Sequence, residues 1–190
     1  LDRFRKELNY RLEGKGVSYC SLCDGPLFKN QDVSIIGGGN SALEESLYLA
    51  DICKSVTIIN RRDVLRGDKM LVDKVLKKDN INILYNSEVV EFNKQDDFLE
   101  SLLINTNGKL NKLDVKACFI FIGYVPATDF LSNLDILDEK GYIKTDKNLK
   151  TDIPFIYACG DTINKQVYQI VTATGEGAVS AISFINDYNS

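Results

Sequence analysis

A glycine-rich turn between two patterned segments constrains the fold of this chain most strongly. Residues 37–42 read GGGNSA and fit the pattern G-x-G-x-x-A. An apolar run at residues 33–36 precedes the turn and predicts a buried strand, and residues 40–51 follow it with apolar side chains at helical spacing. Such a pattern, directly after a strand and at the start of a helix, is typical of a dinucleotide-binding loop.

The residues of this turn have separate predicted roles. Gly37 permits the tight turn, Gly39 lets a pyrophosphate approach the backbone, and Ala42 keeps the helix close to the strand. The N-terminus of the helix offers N–H groups and a positive dipole end to the phosphates. The predicted cofactor-binding residues are Gly37, Gly38, Gly39, Asn40, Ser41 and Ala42. The alternative is a plain glycine turn in an α/β protein.

The elements after the turn predict an α/β fold. A second buried strand at residues 56–59 follows the first helix, so strand, helix and strand form a βαβ unit with a right-handed crossover. A further helix at residues 68–78 and a third strand at residues 81–84 come next. The residues predicted to face inward on that helix are Leu71, Val75 and Leu76.

The following stretch changes from this alternation to antiparallel strands. Residues 88–92 and 98–104 read as such strands, and Asn107-Gly108 predicts a hairpin because both residues accept positive φ. The apolar run at residues 117–122 suits a central strand that is buried on both faces. We predict a domain boundary where this run ends, at Gly123.

Residues beyond this boundary predict a different region. Short strands are expected near residues 142–143 and 155–157, and a final helix is expected over residues 175–187. The predicted domains are therefore residues 1–122 and residues 123–190.

The end of the second strand predicts which dinucleotide is bound. An NAD site places an acidic residue about 20 positions beyond the glycines, whereas this chain has Asn60 followed by Arg61 and Arg62. Arginine matches phosphate oxygens in a bidentate way, which favours the 2′-phosphate of NADPH. The residues predicted to hold that phosphate are Arg61, Arg62 and Arg66. The alternative is a solvated basic turn, on whose surface Asp63 and Asp68 could pair with these arginines.

Two of the five cysteines form a C-x-x-C motif followed by an acid, at Cys20, Cys23 and Asp24. This spacing can close a small reducible disulfide, and an adjacent carboxylate could shuttle a proton to the leaving thiolate. Zinc would need two further ligands, and the chain has no histidine and no second such motif. The other cysteines are expected to be small buried residues: Cys53, Cys118 and Cys159.

Composition excludes several classes of function. A net charge of −4 argues against binding a nucleic-acid backbone. No apolar run approaches the roughly 20 residues that span a bilayer, so no membrane segment is expected. The first residues have no apolar core and do not read as a signal peptide.

Taken together, the motifs resemble those of the low-molecular-weight thioredoxin reductases, in the same order along nearly the whole chain. The matching segments are residues 16–25 around the cysteine pair, 36–45 in the glycine loop, 60–66 in the arginine segment, 157–161, and 173–178 with Gln169.

This resemblance implies a path for electrons and a role for each residue of the motif. In that family electrons pass from NADPH to FAD, then to the cysteine pair, then to a thioredoxin disulfide. By carry-over, Cys23 lies nearest the flavin, Cys20 attacks the substrate disulfide and Asp24 is the acid/base. The family's NADPH domain swings about two hinges, one of which matches Gly123.

The resemblance also implies the fold, the second cofactor and the partners. We expect a Rossmann-like three-layer dinucleotide-binding domain with an antiparallel β-meander, plus the C-terminal part of a second such domain whose N-terminal half is missing. That part would contact FAD through Gly160, Asp161, Gln169 and Ile170. Family members are cytoplasmic homodimers that act on thioredoxin.

The chain departs from the family pattern at two positions. Asn60 stands where the family usually has histidine, and Tyr168 stands where many members have arginine. Three other functions remain possible at this point: the flavoprotein subunit of alkyl hydroperoxide reductase, a ferredoxin-dependent flavin thioredoxin reductase, and a non-enzymatic NADPH-binding module. The arginine pair argues against the first, the nucleotide motifs argue against the second, and the cysteine pair argues against the third.

Overall fold

The computed structural model describes residues 12–189. It divides into two compact units, Leu1–Ile122 and Gly123–Ser190. What each unit binds stays a prediction.

A parallel sheet forms the centre of the first unit. The strands of this unit are, in chain order, β1 (Val17–Ser18), β2 (Asp32–Ile36), β3 (Ser55–Ile59), β4 (Ile81–Leu84), β5 (Ser87–Gln95), β6 (Phe98–Thr106), β7 (Lys109–Asp114) and β8 (Ala117–Ile120). The parallel sheet has the order β1-β8-β2-β3-β4. Near-continuous apolar runs form β2, β3 and β8 because both faces of a parallel sheet are covered.

Helices cover one face of this sheet. They are α1 (Ser21–Asp24), α2 (Asn40–Ile52) and α3 (Lys69–Leu76), with a 3-10 turn at Gly25–Phe28 after α1. Val33, Ile35 and Phe119 of the sheet pack with Ala42 and Leu49 of α2 in one buried cluster. The predicted strand–helix–strand unit is therefore confirmed.

One predicted inward residue of α3 is wrong. Val75 is buried and Leu71 packs beside it, but Leu76 is 59% exposed. Residues 75 and 76 differ by about 100° around a helix of 3.6 residues per turn, so the helix cannot direct both into the same core.

An antiparallel sheet of order β5-β6-β7 covers the other face. Its Phe92 and Leu102 share a buried cluster with Ile36, Cys118 and Ile120 of the parallel sheet. The hairpin turn lies at residues 107–108, where φ is 52° and 84°. Helices, parallel sheet and antiparallel sheet make the three predicted layers, which confirms the predicted fold class.

The second unit contains one long helix, α4 (Ile170–Tyr188), and short 3-10 turns at Asp129–Leu131 and Gly160–Thr162. Its core is a small apolar cluster that includes Ile136, Ile143 and Ile163. The helix begins five residues before the predicted start because Gln169 and Thr172 form a reciprocal capping box.

The two short strands predicted in this unit are wrong. Residues 142–143 and 155–157 contribute isolated bridges, from Ile143 to Leu137 and Ile163 and from Tyr157 to Lys150. Phe155 has φ of 61°, outside the extended region, so residues 155–157 cannot form a continuous strand.

Between residues 12 and 189 no helix is both long and apolar enough to cross a membrane.

Candidate functional site

The glycine turn lies between β2 and α2, and its backbone geometry requires glycine at two of its positions. Gly37 has φ of +142°, and a Cβ there would lie 2.3 Å from the Phe121 carbonyl oxygen. A Cβ on Gly38 would lie 2.4 Å from Oδ1 of Asn60. Gly39 differs, because a Cβ there would meet no atom within 4 Å. A side chain at either of the first two glycines would therefore clash with neighbouring segments, whereas one at the third would extend into open space.

The N-terminus of α2 begins beside that open space. The first helical hydrogen bond runs from the Leu43 N–H to the Gly39 carbonyl at 3.1 Å, so the N–H groups of residues 40–42 have no helical acceptor. Gly39 precedes the helix and supplies no capping side chain. Such an end can bind the oxygens of a pyrophosphate.

A hydrogen-bonded segment after β3 lies next to the glycine turn. The Arg66 N–H donates to the Gly38 carbonyl at 2.7 Å. Arg61, Arg62 and Arg66 are exposed, and between residues 12 and 189 no carboxylate lies within ion-pair distance of them. Ion pairs with nearby aspartates are therefore not formed among the described residues, and the guanidinium groups face solvent beside the turn, so their role in binding a phosphate stays a prediction.

Asn60 organises this arginine segment, which the sequence did not predict. Its side chain is buried, and its Nδ2 donates to the carbonyl oxygens of Arg62 at 3.0 Å and Val64 at 2.9 Å. Asparagine side chains often stabilise turns by hydrogen-bonding to backbone groups a few residues ahead. The asparagine at position 60 was therefore the sequence signal that could have predicted this role. The departure from histidine at this position therefore has a structural role.

A second polar connection that the sequence did not predict joins α2 to the segment before α3. Asn40 Nδ2 donates to Asp68 Oδ2 at 2.9 Å, and the Asp68 N–H donates to Asn40 Oδ1 at 2.7 Å. Asn40 thus uses its side chain to fix the arginine segment rather than to cap its own helix. Gly67 permits this close approach, since a Cβ there would lie 2.4 Å from Leu43 Cδ1.

The cysteine pair lies directly after β1. Cys20 and Cys23 form a disulfide. Cys20 precedes α1, and its Sγ accepts a hydrogen bond from the Cys23 N–H at 3.2 Å. Asp24 ends α1 and is half-buried, with its N–H donating to the Cys20 carbonyl at 3.1 Å. A bridge of this kind can accept two electrons and two protons to give two thiols.

The remaining buried cysteines in this unit have a different environment. Burial raises the pKa of the Cys53 thiol to about 11 and that of Cys118 to about 12. Both therefore stay protonated near neutral pH, and the thiol form is a poor nucleophile. Their predicted role as small buried residues is confirmed, whereas Cys159 is only half-buried.

These three groups follow three strands of one parallel sheet, in which β8 lies between β1 and β2. The cysteines follow β1, the glycine turn follows β2 and the arginine segment follows β3, so all lie at the edge formed by the carboxyl ends of the strands. Ligands of open α/β sheets bind at this edge. The first unit thus combines a predicted nucleotide site with a disulfide.

In the second unit the predicted flavin-contacting residues surround the start of α4. Gly160 has φ of 72°, and its N–H donates to Glu176 Oε2 at 2.8 Å. Lys165 pairs with that same oxygen at 2.9 Å and lies 3.7 Å from Asp161 Oδ1. These contacts hold the turn at Gly160 and Asp161 against the helix.

The side chain of Gln169 takes part in the capping box, and Ile170 begins the helix. Tyr168 stacks against Tyr124, with ring centroids 6.2 Å apart and an interplanar angle of 15°. A hydrogen bond with Tyr168 is the main cause that raises the pKa of Tyr142 to about 12. The tyrosine at position 168 therefore belongs to an aromatic cluster, where the expected arginine would have carried a charge.

Gly123 follows β8 at the division between the two units. Its φ is +102°, and a Cβ at this position would meet no atom within 4 Å. This backbone conformation favours glycine. Its role as a hinge stays a prediction.

Comparison with known proteins gives one family. Residues 8–177 match the model of the pyridine nucleotide-disulphide oxidoreductases. The chain is 41% identical over 177 residues to a thioredoxin reductase of Mycoplasmopsis pulmonis, covering 93% of this chain and 57% of that protein. It is 41% identical over 171 residues to a thioredoxin reductase of Listeria monocytogenes, covering 89% of this chain and 54% of that protein.

A solved structure gives the same result. The thioredoxin reductase of Streptococcus pyogenes matches with a TM-score of 0.87 and 37% identity, over 92% of this chain and 58% of that one. The chain thus spans somewhat more than half the length of the relatives that it matches.

Proposed function

Because the chain belongs to the pyridine nucleotide-disulphide oxidoreductase family, we propose that the protein is a thioredoxin-disulfide reductase that uses NADPH and FAD. The observation that carries this proposal is a disulfide and an arginine-flanked glycine turn at the same edge of one parallel sheet. The relatives at about 40% identity bear the name of this activity.

The first unit fits NADPH. Open space at Gly39 leaves room for the pyrophosphate beside the N–H groups of residues 40–42. Arg61 and Arg62 are exposed and held next to this space by Asn60, so their guanidinium groups can bind a 2′-phosphate. No carboxylate at this position competes for a ribose hydroxyl, which favours NADPH over NADH.

The second unit fits part of an FAD site. The Asp161 side chain is 72% exposed and can accept hydrogen bonds from ligand hydroxyls, while Lys165 and Glu176 hold its turn in place. The N–H groups of Ile170 and Val171, in the first turn of α4, can donate hydrogen bonds to oxygens of the flavin ring or of phosphate. When bound, FAD would take electrons from NADPH and deliver two of them to the disulfide.

The cysteines would then exchange with the substrate. Two electrons and two protons open the bridge between Cys20 and Cys23. The Cys23 N–H that points at Cys20 Sγ would stabilise a thiolate there, which supports Cys20 as the group that attacks thioredoxin. The attack forms a mixed disulfide, and Cys23 then displaces reduced thioredoxin. Asp24 would supply and recover the proton.

We also propose that the protein is a cytoplasmic homodimer. A redox-active disulfide that is reduced in each cycle suits a reducing compartment.

The proposal is tested by NADPH oxidation with thioredoxin as acceptor and, separately, with a peroxiredoxin, using the protein in its full natural length. Cys20→Ser should abolish turnover with thioredoxin while NADPH binding is unchanged. Cys53→Ala, which removes a buried unreactive thiol, is the matched control and should keep turnover. Reduction of the peroxiredoxin alone would instead favour an alkyl hydroperoxide reductase, and turnover by Cys20→Ser would refute the assigned role.

A further inference from the structure

The side chain of Ser18 binds the backbone of the first cysteine on both sides of its α-carbon. Ser18 ends β1 and is 4% exposed. Its Oγ accepts a hydrogen bond from the Cys20 N–H at 3.1 Å and donates one to the Cys20 carbonyl oxygen at 3.3 Å. Serine side chains form such bonds to backbone groups two residues ahead at turns. One buried hydroxyl therefore fixes both peptide units that flank Cys20.

The Cys20 carbonyl also receives a hydrogen bond from the far end of α1. The Asp24 N–H donates to it at 3.1 Å, so a donor from the strand and a donor from the helix meet at one oxygen. Cys20 has φ of −143° and ψ of 103°, the extended conformation typical of the residue before a helix. In this conformation its Sγ accepts a hydrogen bond from the Cys23 N–H at 3.2 Å. The contact at the sulfur thus depends on a backbone that Ser18 holds.

The strand that carries Ser18 belongs to the buried centre of the first unit. β1 pairs with β8, where Ser18 lies opposite Phe119, and Val17 is fully buried. The cysteine turn is less protected, since Cys20 is half-buried and Cys23 is exposed. The two hydrogen bonds of Ser18 therefore connect an accessible turn to the core of the sheet.

We propose that Ser18 is a positioning residue for the Cys20–Cys23 disulfide, whose hydroxyl keeps the Cys20 sulfur in contact with the Cys23 N–H after the bridge is reduced. This inference rests on the proposed function, because it assigns a role in the reaction of that same disulfide.

The reduced state needs this contact more than the oxidised state does. A dithiol reductant supplies two electrons and two protons, and the sulfur–sulfur bond breaks. The Cys23 sulfur takes one proton, while Cys20 becomes a thiolate when the other proton goes to solvent. A hydrogen bond to a thiolate is charge-assisted and is stronger than one to a neutral sulfur. Without the Ser18 hydroxyl the Cys20 backbone can turn away, and the thiolate loses part of that stabilisation.

The test is the pH dependence of cysteine alkylation in the reduced protein of full natural length. Dithiothreitol reduces the bridge and is removed, and iodoacetamide then reacts with each thiolate as iodide leaves. Trypsin releases residues 16–29 as one peptide, in which tandem mass spectrometry separates alkylation of Cys20 from that of Cys23. In Ser18→Ala the pH of half-maximal Cys20 alkylation should rise by about 0.5–1 unit, the size expected when one neutral hydrogen bond no longer supports the charged form.

Three further variants make the result specific. Ser34→Ala removes another buried serine hydroxyl of the same sheet, which donates to the Ala117 carbonyl oxygen at 3.3 Å, and it should leave the Cys20 profile unchanged. Ser18→Thr and Ser18→Val have the same shape and differ in the hydroxyl. The threonine variant should keep the wild-type profile, and the valine variant should show the upward shift. Thermal unfolding of each oxidised variant checks the fold, and the threonine–valine pair decides the question if Ser18→Ala does not fold.

A wild-type profile in Ser18→Ala would overturn the inference. An equal shift in Ser34→Ala, or identical profiles for Ser18→Thr and Ser18→Val, would do the same. Neither NADPH nor thioredoxin takes part in this measurement. Its failure would therefore leave the proposed reductase activity standing, and failure of the acceptor assay would not alter the alkylation profile.

Discussion

The glycine turn allows a structural glycine to be separated from a ligand-binding one. Gly37→Ala and Gly39→Ala add the same methyl group two residues apart. At Gly37 the methyl meets the Phe121 carbonyl oxygen at 2.3 Å, in a backbone with φ of +142°. At Gly39 the backbone is extended, with φ of −95° and ψ of 179°, and the methyl points into open space.

The expected effects on stability differ in size and direction. Backbone strain at a position that favours glycine costs about 1–3 kcal/mol, and the contact with Phe121 adds to it. Gly37→Ala should therefore lower the free energy of unfolding by at least about 2 kcal/mol, which lowers the Tm by roughly 4–8 °C or more. Gly39→Ala should leave stability unchanged or raise it by about 0.4–1 kcal/mol, since alanine restricts the unfolded chain.

Among the folded variants, Gly39→Ala should weaken NADPH binding more than Gly37→Ala. The methyl at residue 39 occupies the space where the pyrophosphate approaches the backbone, so one charge-assisted hydrogen bond worth about 1.5–3 kcal/mol is lost. That loss weakens NADPH binding by about tenfold to a hundredfold.

Thermal unfolding and titration with NADPH measure the two quantities on the same preparations. If Gly39→Ala binds NADPH as tightly as wild type, the turn is not the pyrophosphate site. If it loses as much stability as Gly37→Ala, the distinction drawn from the two Cβ positions is wrong.

Three further changes test other parts of the molecule. Changing Arg61 and Arg62 together to Ala should weaken NADPH binding by roughly two to four powers of ten, because each phosphate contact contributes about 1.5–3 kcal/mol. The Tm and NADH binding should not change, since the arginines make no ion pair within residues 12–189. Equal losses for both nucleotides would argue against a 2′-phosphate site. Asn60→Asp should lower the free energy of unfolding, measured in urea, by at least about 2 kcal/mol, because it replaces two donated hydrogen bonds with repulsion from two carbonyl oxygens. An unchanged urea midpoint would show that Asn60 does not hold the arginine segment. A hydrogen bond from Lys150 is the main cause that lowers the pKa of Asp187, so the Asp187 carboxylate stabilises the fold above the ordinary aspartate pKa and this contribution is lost as the pH falls through the lowered value. Asp187→Asn should therefore make the free energy of unfolding fall less steeply at acid pH. If the free energies of unfolding of variant and wild type change with pH in parallel, Asp187 has no such role.

The sequence alone determined the features that depend on neighbouring residues. The pattern at residues 37–42, the spacing of Cys20 and Cys23, and the Asn107-Gly108 turn each need particular residue types at fixed local distances. Apolar runs determined the strands of the parallel sheet in the same way, because a strand buried on both faces has little freedom in composition. These predictions needed no knowledge of which segments meet.

Features in which distant segments meet depend on the packing of the whole fold. Asn60 contacts the glycine turn and Asn40 binds Asp68, although neither residue is unusual in its own segment. The partner of a polar side chain is selected by the fold, since a buried donor or acceptor must be satisfied by whichever segment packs against it. The same reason explains the wrong strands of the second unit. There residues 155–157 form an isolated bridge from Tyr157 to Lys150 instead of a strand, because Phe155 has φ of 61°, and local composition could not reveal that conformation.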